Sequence, residues 1–298
     1  MKQVQNTDIK LLRVFVTVVR CGGFSSAQSI LNIGQSAISE HMNRLETRLG
    51  ARLCERGRGG FRLTESGEIA YAAAQRLLAS VENFRLETSG ISGELQGELR
   101  LGLIDNIITN SDSPLIPTIR NFHTHAKHVR LHIETRSPNE LAQQVLDGRL
   151  HAAIGPFPKK IQGLSYEELF EELHLLYCGE THPLYHQDDI SEKEVQTSEI
   201  IAHSYENSAD IEALKAGSAA AIIDNVEAET LLILTGHYIG FLPAHYAERW
   251  EKSGELKALL PDQINRNSSF YLITKTGGHR HALLTAFLSD LEECKVQA

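Results

Sequence analysis

Residues 24–67 read FSSAQSILNIGQSAISEHMNRLETRLGARLCERGRGGFRLTESG, and this stretch decides the architecture of the first part of the chain. Ile38, Met42, Leu45 and Leu49 recur at helical spacing, so a helix is expected to bury that stripe, with Gly50 as its stop. Its opposite face carries Gln35, Ser36, Ser39, Glu40, Asn43 and Arg44, all able to hydrogen-bond outward. Upstream, Ser25 precedes Gln28 by the spacing of a capping box, which opens a short helix to about Leu31. Asn32-Ile33-Gly34 makes a tight turn between the two. An earlier helix precedes both, because Leu11, Phe15, Val18 and Val19 share one face and Cys21-Gly22-Gly23 stops it. Two helices joined by a short turn, the second with a polar outer face, describe a helix-turn-helix over about 24–43. Such a second helix has the width of a major groove, where its first side chains meet base edges. Periodicity alone leaves a helical hairpin with a solvated face as an equal alternative.

The sequence after it favours the DNA reader. Leu53–Arg56 and Phe61–Leu63 look like two short strands around Gly57-Arg58-Gly59-Gly60. That glycine cluster lacks Walker spacing and the strand-then-helix context of a dinucleotide site, so it is read as a hairpin tip. A hairpin placed here is a wing, from which Arg56 and Arg58 reach phosphates or an adjacent minor groove. The run from Leu11 to Gly67 resembles the winged helix-turn-helix of LysR-type transcriptional regulators. The match is carried by Phe15, Gly23-Phe24-Ser25, Ala27, Leu31, Gln35, Ala37 to Ser39, Leu45-Glu46 and Leu49-Gly50. It continues through Leu53, Glu55-Arg56, Leu63-Thr64 and Gly67. The resemblance implies base reading by Gln35, Ser36 and Ser39 and a minor-groove contact from Arg58 or a neighbour. Ser25, Ser26, Glu40, Arg44 and Arg56 complete the expected DNA-binding set. Two positions depart from the family pattern. Gly34 stands where a capping serine is usual, though glycine is an acceptable cap. Glu40 stands where a basic residue is common, and its carboxylate either accepts from a cytosine amino group or faces solvent.

The charge distribution agrees with this division. The 298-residue chain has a formal net charge of −9, yet residues 1–65 carry ten Lys/Arg against five Asp/Glu, leaving the excess of acid in the remainder. A basic head on an acidic body points to a nucleic-acid site in the head. The length suits about two domains, and a 42% hydrophobic content excludes a wholly disordered chain. Cys21, Cys54, Cys178 and Cys294 show no close pair or zinc-ligand spacing, as expected in a reducing compartment. Asp8, Lys10 and Arg13 interrupt any leader, and the longest apolar run, Leu231 to Leu242, is broken by Gly236 and His237. The expectation is a cytoplasmic protein with no membrane partner.

Thr64 can cap a helix to about Thr88 whose Ile69, Ala73, Leu77, Val81 and Phe84 form a stripe needing a cover. In the resembled family that helix pairs with its counterpart in a second subunit, implying a dimer and, by resemblance, a dimer of dimers on an interrupted palindrome. Packing on the chain's own second part is the alternative. Ser89-Gly90 and Ser92-Gly93 read as the hinge. The expected divisions are a head over 7–64, a linker helix over 65–90 and an effector domain over 94–298.

From Glu98 the periodicity becomes two, and strands alternate with helices, which argues for parallel sheets with helices on their faces. The expected strands include Val129–Glu134, His151–Gly155, Leu173–Cys178 and Ser269–Thr274, and Ser113-Pro114 is expected to open a helix as cap and first residue. "GELRLGL", "LAQQVLDGRLHAAIG" and "GHYIGFLP" resemble the LysR-type effector domain, a two-lobed α/β fold like that of periplasmic binding proteins. The lobes would be 94–166 with 268–298, and 167–267. Ligands in such sheets sit beyond strand carboxyl ends. That rule points to Asp105, Asn106, Thr109, Ser137, Phe157, His203, Ser204 and Asn225 as the effector-binding set, each with an alternative as a cap or turn residue. An ionised Asp105 would repel a carboxylate, so an effector bearing an amine or hydroxyl is expected. His123, His125, His128 and His132 lack metal-ligand spacing, and no GxSxG, Walker, zincin or dinucleotide motif occurs, so no metal, cofactor or catalytic residue is expected. The competing function is a solute-binding module or small-molecule enzyme whose basic head only mediates association.

Overall fold

The computed structural model describes residues 5–57, 60–89, 95–205, 211, 214, 218–277 and 281–295. The chain divides into two compact units, one running to Thr88 and one beginning at Ser89.

The first unit opens with α1 (Asn6–Arg20), α2 (Phe24–Leu31) and α3 (Gln35–Leu49). The expected stripes meet in one core: Phe15, Val18, Ile38, Met42 and Leu45 are fully buried, packed with Phe24 and Ala27. At about 1.5–3 kcal/mol for each large apolar side chain taken out of water, this cluster is the main source of the unit's cohesion. Asp8, wholly buried, accepts from Arg48 Nη2 of α3 at 2.7 Å and from the Gln5 amide at 2.8 Å, so its charge is compensated.

The start of α2 differs from the expected capping box. The helix begins two residues earlier than a Ser25 cap would give, at buried Phe24, with Gly23 as N-cap and no side chain capping it. Ser25 therefore lies inside the first turn. Gln28 instead donates to the Ser25 carbonyl at 3.3 Å and accepts from the Gln35 amide at 3.2 Å. It thereby satisfies one of the orphan donors of α3, whose own N-cap, Gly34, has no side chain to do so.

β1 (Cys54–Gly57) and β2 (Gly60–Leu63) pair antiparallel, with Gly57 opposite Gly60. The wing arginine Arg58 lies outside the described residues, as does the side chain of Arg56. Thr64 then caps α4 (Glu65–Ser89): its hydroxyl accepts from the Gly67 amide at 3.0 Å and donates to the Arg52 carbonyl at 2.7 Å. Ala70, Tyr71, Ala74 and Leu78 of α4 pack on the core. The stripe read from the sequence is turned largely outward, with Ile69 and Phe84 each 67% exposed. The expected hinge lies outside the described residues beyond Ser89.

The second unit contains β3 (Gln96–Leu103), α5 (Leu115–His125), β4 (His128–Thr135), α6 (Pro138–Leu146), β5 (Ala152–Pro156) and β6 (Leu164–Gly179). There follow α7 (Glu192–Gln196), β7 (Glu199–His203), β8 (Ala221–Ile223), α8 (Val226–Leu234), β9 (Tyr238–Pro243), α9 (Ala244–Ser253), β10 (Leu256–Ala258), β11 (Asn265–Lys275) and α10 (Ala282–Lys295). The strands run in the order β4-β3-β5-β11-β6-β9-β7-β8, with β10 also on β6. β4-β3-β5 are parallel, and so are β9-β7-β8, and a parallel pair needs a crossover connection rather than a tight turn. Pro114 is itself the N-cap of α5 rather than its first helical residue.

The sheet is mixed, not purely parallel, because β6 and β11 run antiparallel to each other and to their neighbours. The sequence reading finds only the ends of both strands. In Leu164–Glu172 the residues Glu167, Glu168, Glu171 and Glu172 hide any alternation, and the strand is imposed by pairing, since every residue of β11 faces one of β6. A bulge follows Phe270, whose ring stacks on Phe170 at 4.7 Å. On one side of that stack β11 bonds to β5, and on the other β6 bonds to β9. Both strands thus belong to both lobes, and divisions at 166/167 and 267/268 fall within them rather than in linkers. One lobe buries Leu141, Val145, Leu150 and Ile273, the other Leu176, Ile200, Ile239 and Phe241.

Candidate nucleic-acid interface and effector cleft

On the first unit the candidate interface is the outer face of α3. Its inner positions are committed to the core, which leaves Gln35, Ser36, Glu40, Asn43 and Arg44 exposed and Ser39 half-buried. Ser25 and Ser26 are exposed in the first turn of α2. Other charges of α3 hold the fold: Glu46 accepts from the Leu53 amide at 2.8 Å, and Arg48 holds Asp8. Exposed hydrogen-bonding groups on a helix anchored by its apolar side can enter a major groove.

In the second unit the structure divides the expected effector set. Asp105, just past β3, accepts at Oδ2 from the Val226 amide at 2.7 Å, so a carboxylate from the first lobe sits on the N-terminus of α8 in the second. Burial, its largest influence, raises the Asp105 pKa despite that bond. Thr109 bonds through Oγ1 to His245 Nδ1 at 2.9 Å, a second contact between the lobes. His203 is fully buried, with Nε2 3.4 Å from Glu229. These are the residues that the structure brings together.

The others have local duties. Asn106 adopts a left-handed conformation (φ 70°) and accepts from Thr109 at 3.4 Å. Ser137 caps α6 in a box with Glu140, its hydroxyl donating at 2.8 Å. Ser204 donates to Asp224 at 2.5 Å, and Asn225 caps α8 by accepting from the Ala228 amide at 2.8 Å. Phe157 is buried in the first lobe's core, edge-on to Tyr166.

Sequence reasoning misses a buried charged group joined to Thr109 through His245. Glu172, buried on β6, accepts from His174 at 2.9 Å, from His245 at 2.8 Å and from Asn110 Nδ2 at 3.4 Å. Burial alone would raise its pKa, but the bonds from the two imidazoles outweigh that and hold the carboxyl at about 2. Glu172 and His174 share a strand face, a signal available only once β6 is recognised. Glu229 reaches its buried position past Gly240, where a Cβ would come within 2.5 Å of its Oε1. Two carboxylates, Glu172 and Glu229, are therefore matched with imidazoles, while Asp105 has a helix end.

Within the histidine run, His125 bonds Asp290 at 2.9 Å and His132 bonds Glu134 at 3.1 Å; among the described residues no group of three or more His, Cys, Asp or Glu side chains is gathered to hold a metal ion. All four cysteines are free, and burial pushes the Cys178 thiol up to about 12. No helix among the described residues is long and apolar enough to cross a membrane.

Two family profiles match the two units. "Bacterial regulatory helix-turn-helix protein, lysR family" covers residues 9–68 and "LysR substrate binding domain" covers 92–294. The chain is 40% identical over 290 residues to the HTH-type transcriptional activator BauR of Pseudomonas aeruginosa, covering 96% of this chain and 95% of that protein. It resembles the crystal structure of CbnR, a LysR family transcriptional regulator, with a TM-score of 0.69 at 18% identity over 96% of this chain and 99% of that one. Full-length CbnR complexed with its target DNA gives a TM-score of 0.67 at 17% identity, over the same shares. An exposed polar helix on an apolar core, a two-lobed α/β unit and these likenesses along nearly the whole chain have one explanation: the protein belongs to the LysR family of effector-controlled, DNA-binding transcriptional regulators.

Proposed function

We propose that two heads of this protein grip the half-sites of an interrupted palindrome, with Gln35, Ser36 and Ser39 reading bases and Arg44 joining the contact. Ser25 and Ser26, at the start of α2, and Arg56 and Arg58 of the wing hold phosphates or the minor groove. The observation that carries this reading is the open polar face of α3 above a core that uses every apolar residue behind it. An enzyme or solute-binding module would leave that face without a purpose. The outward stripe of α4, with Ile69 and Phe84, supports pairing of two chains along it, and exposed Ile222 and Leu231 offer a second self-contact for a dimer of dimers. The head over 7–64, linker over 65–90 and effector domain over 94–298 are the working parts, all acting in the cytoplasm, where contact with the transcription machinery follows DNA binding.

The effector binds between the lobes, near Asp105 and Thr109, and leaves unchanged. Its class follows from charge: Glu172 and Glu229 have imidazoles within 3.4 Å, whereas Asp105 is desolvated, bonded to the Val226 amide at a helix end, and influenced by His203 only through space. An ammonium group on the effector supplies the missing charge, and a hydroxyl supplies a weaker donor. By favouring one lobe arrangement, the ligand changes how the heads are held on DNA.

Selection of bound sequences from a random DNA pool at two salt concentrations tests the regulator reading. An enriched dyad is expected, with affinity falling steeply as salt rises. The double substitution Gln35→Ala, Ser39→Ala should flatten the base preference while non-specific binding persists; an unaltered dyad would remove α3 as the reading element. Asp105→Asn should weaken the effector response tenfold or more and leave operator affinity without effector as it was. A normal dose response in that variant would place the effector elsewhere.

A further inference from the structure

Residues 5–64 contain four acidic side chains, and three are occupied within the chain. Asp8 is buried against Arg48, Glu46 holds the Leu53 amide, and Glu55 pairs with Arg62 at 3.3 Å. Glu40 is different: it is exposed and has no hydrogen bond or ion pair among the described residues. It lies one turn after Ser36 and one turn before Arg44, hence on the face of α3 that the proposed function turns toward DNA. A carboxylate there is repelled by phosphates on every sequence, so it weakens all complexes except those that give it a donor.

The major groove offers two such donors, the exocyclic amines of cytosine and adenine. Adenine N6 lies beside the acceptor N7, which opposes a second lone pair, whereas the cytosine edge presents N4 without an adjacent acceptor. We propose that Glu40 selects cytosine in each half-site, accepting a hydrogen bond from its N4 amine. This rests on the assignment of α3 as the reading helix. Glu40 contributes discrimination rather than affinity: the matched base relieves a repulsion that every other base leaves in place.

The same pool selection, run on the full chain and on Glu40→Gln and Glu40→Ala, tests this. Neither substitution removes a hydrogen bond or ion pair seen among the described residues, Glu40 is exposed, and glutamine and alanine are both good helix formers, so the head keeps its fold. The parent should enrich cytosine at one position of each half-site, preferred about five- to tenfold over the other bases. Glutamine carries a donor and an acceptor that match adenine N6 and N7, so Glu40→Gln should move the preference at that position from cytosine to adenine. Glu40→Ala should lose the preference there and bind unrelated DNA at least as tightly as the parent. A dyad that is identical for all three proteins overturns the role of Glu40 while leaving the regulator reading intact. Failure of the parent to enrich any dyad would overturn both.

Discussion

Gly67→Ala should strongly destabilise the first unit, although alanine in place of glycine inside a helix ordinarily stabilises by about 1 kcal/mol. Gly67 is the third residue of α4, and a Cβ built on it would lie 1.9 Å from the Leu53 carbonyl oxygen and 2.9 Å from the carbonyl carbon. Those atoms are backbone, and that carbonyl also accepts from the Thr64 amide at 3.0 Å. Leu53 is buried, so it cannot swing aside as a surface side chain would. Relief requires α4 to lift from the entrance to the wing, which breaks the Thr64 cap and its bond to Arg52. Overpacking against fixed atoms costs about 3 kcal/mol, well beyond the propensity gain. Calorimetry of the full chain should show the first unit's transition fall sharply or vanish while the second unit's stays, with operator affinity lost in step. A variant that melts with the parent and binds normally would show that the corner yields.

Glu172→Gln carries the second large effect, in the other unit. The carboxyl is held at about 2 against an ordinary value of 4.5. A depressed carboxylate stabilises the folded state above its unfolded pKa and ceases to do so as pH falls through its folded value. At about 1.4 kcal/mol for each unit of displacement, the contribution is about 3 kcal/mol, present at neutral pH and lost between pH 4.5 and 2. Glutamine keeps the shape and removes the charge. The variant should therefore be less stable by about that amount at pH 7, and its stability should change less between pH 4.5 and 2 than the parent's. Denaturant midpoints measured across that range decide it, and superimposable curves for the two proteins would show that the imidazoles do not hold this carboxylate.

The legibility of the two units differs for a physical reason. In the first unit, α1 to α4 are local structures whose stripes, stops and turn residues lie within a few positions of one another. Ile38, Met42 and Leu45 announce their burial by spacing alone, and Gly50 announces the stop. The misplaced feature there, the Ser25–Gln28 capping box, failed because buried Phe24 drew the helix start back by two residues. In the second unit the deciding contacts are remote in sequence. Nothing near Glu172 signals that Asn110 and His245 will meet it, and the charged half of β6 is a strand only because β11, a hundred residues later, lies beside it. The rule that ligands sit beyond strand ends picks out Asp105 and Thr109, which bond across the lobes, and His203, buried beside Glu229. It also selected Ser137 and Asn225, because helix caps occupy those same places, and it had no way to find the Glu172–His174–His245 group.

The two crossing strands also set the order in which the protein becomes complete during synthesis. The first lobe starts with β3, yet it is finished only when β11 and α10 have been made, because β5 and α5 need them as neighbours. The head has all its internal contacts by Thr88. At ordinary elongation rates the interval between the two events is about 10–40 s. During that time a nascent chain carries a finished DNA-reading unit with an unfinished sensor. Ribosome-bound or prematurely ended chains of this protein would therefore be able to occupy operators while being deaf to the effector.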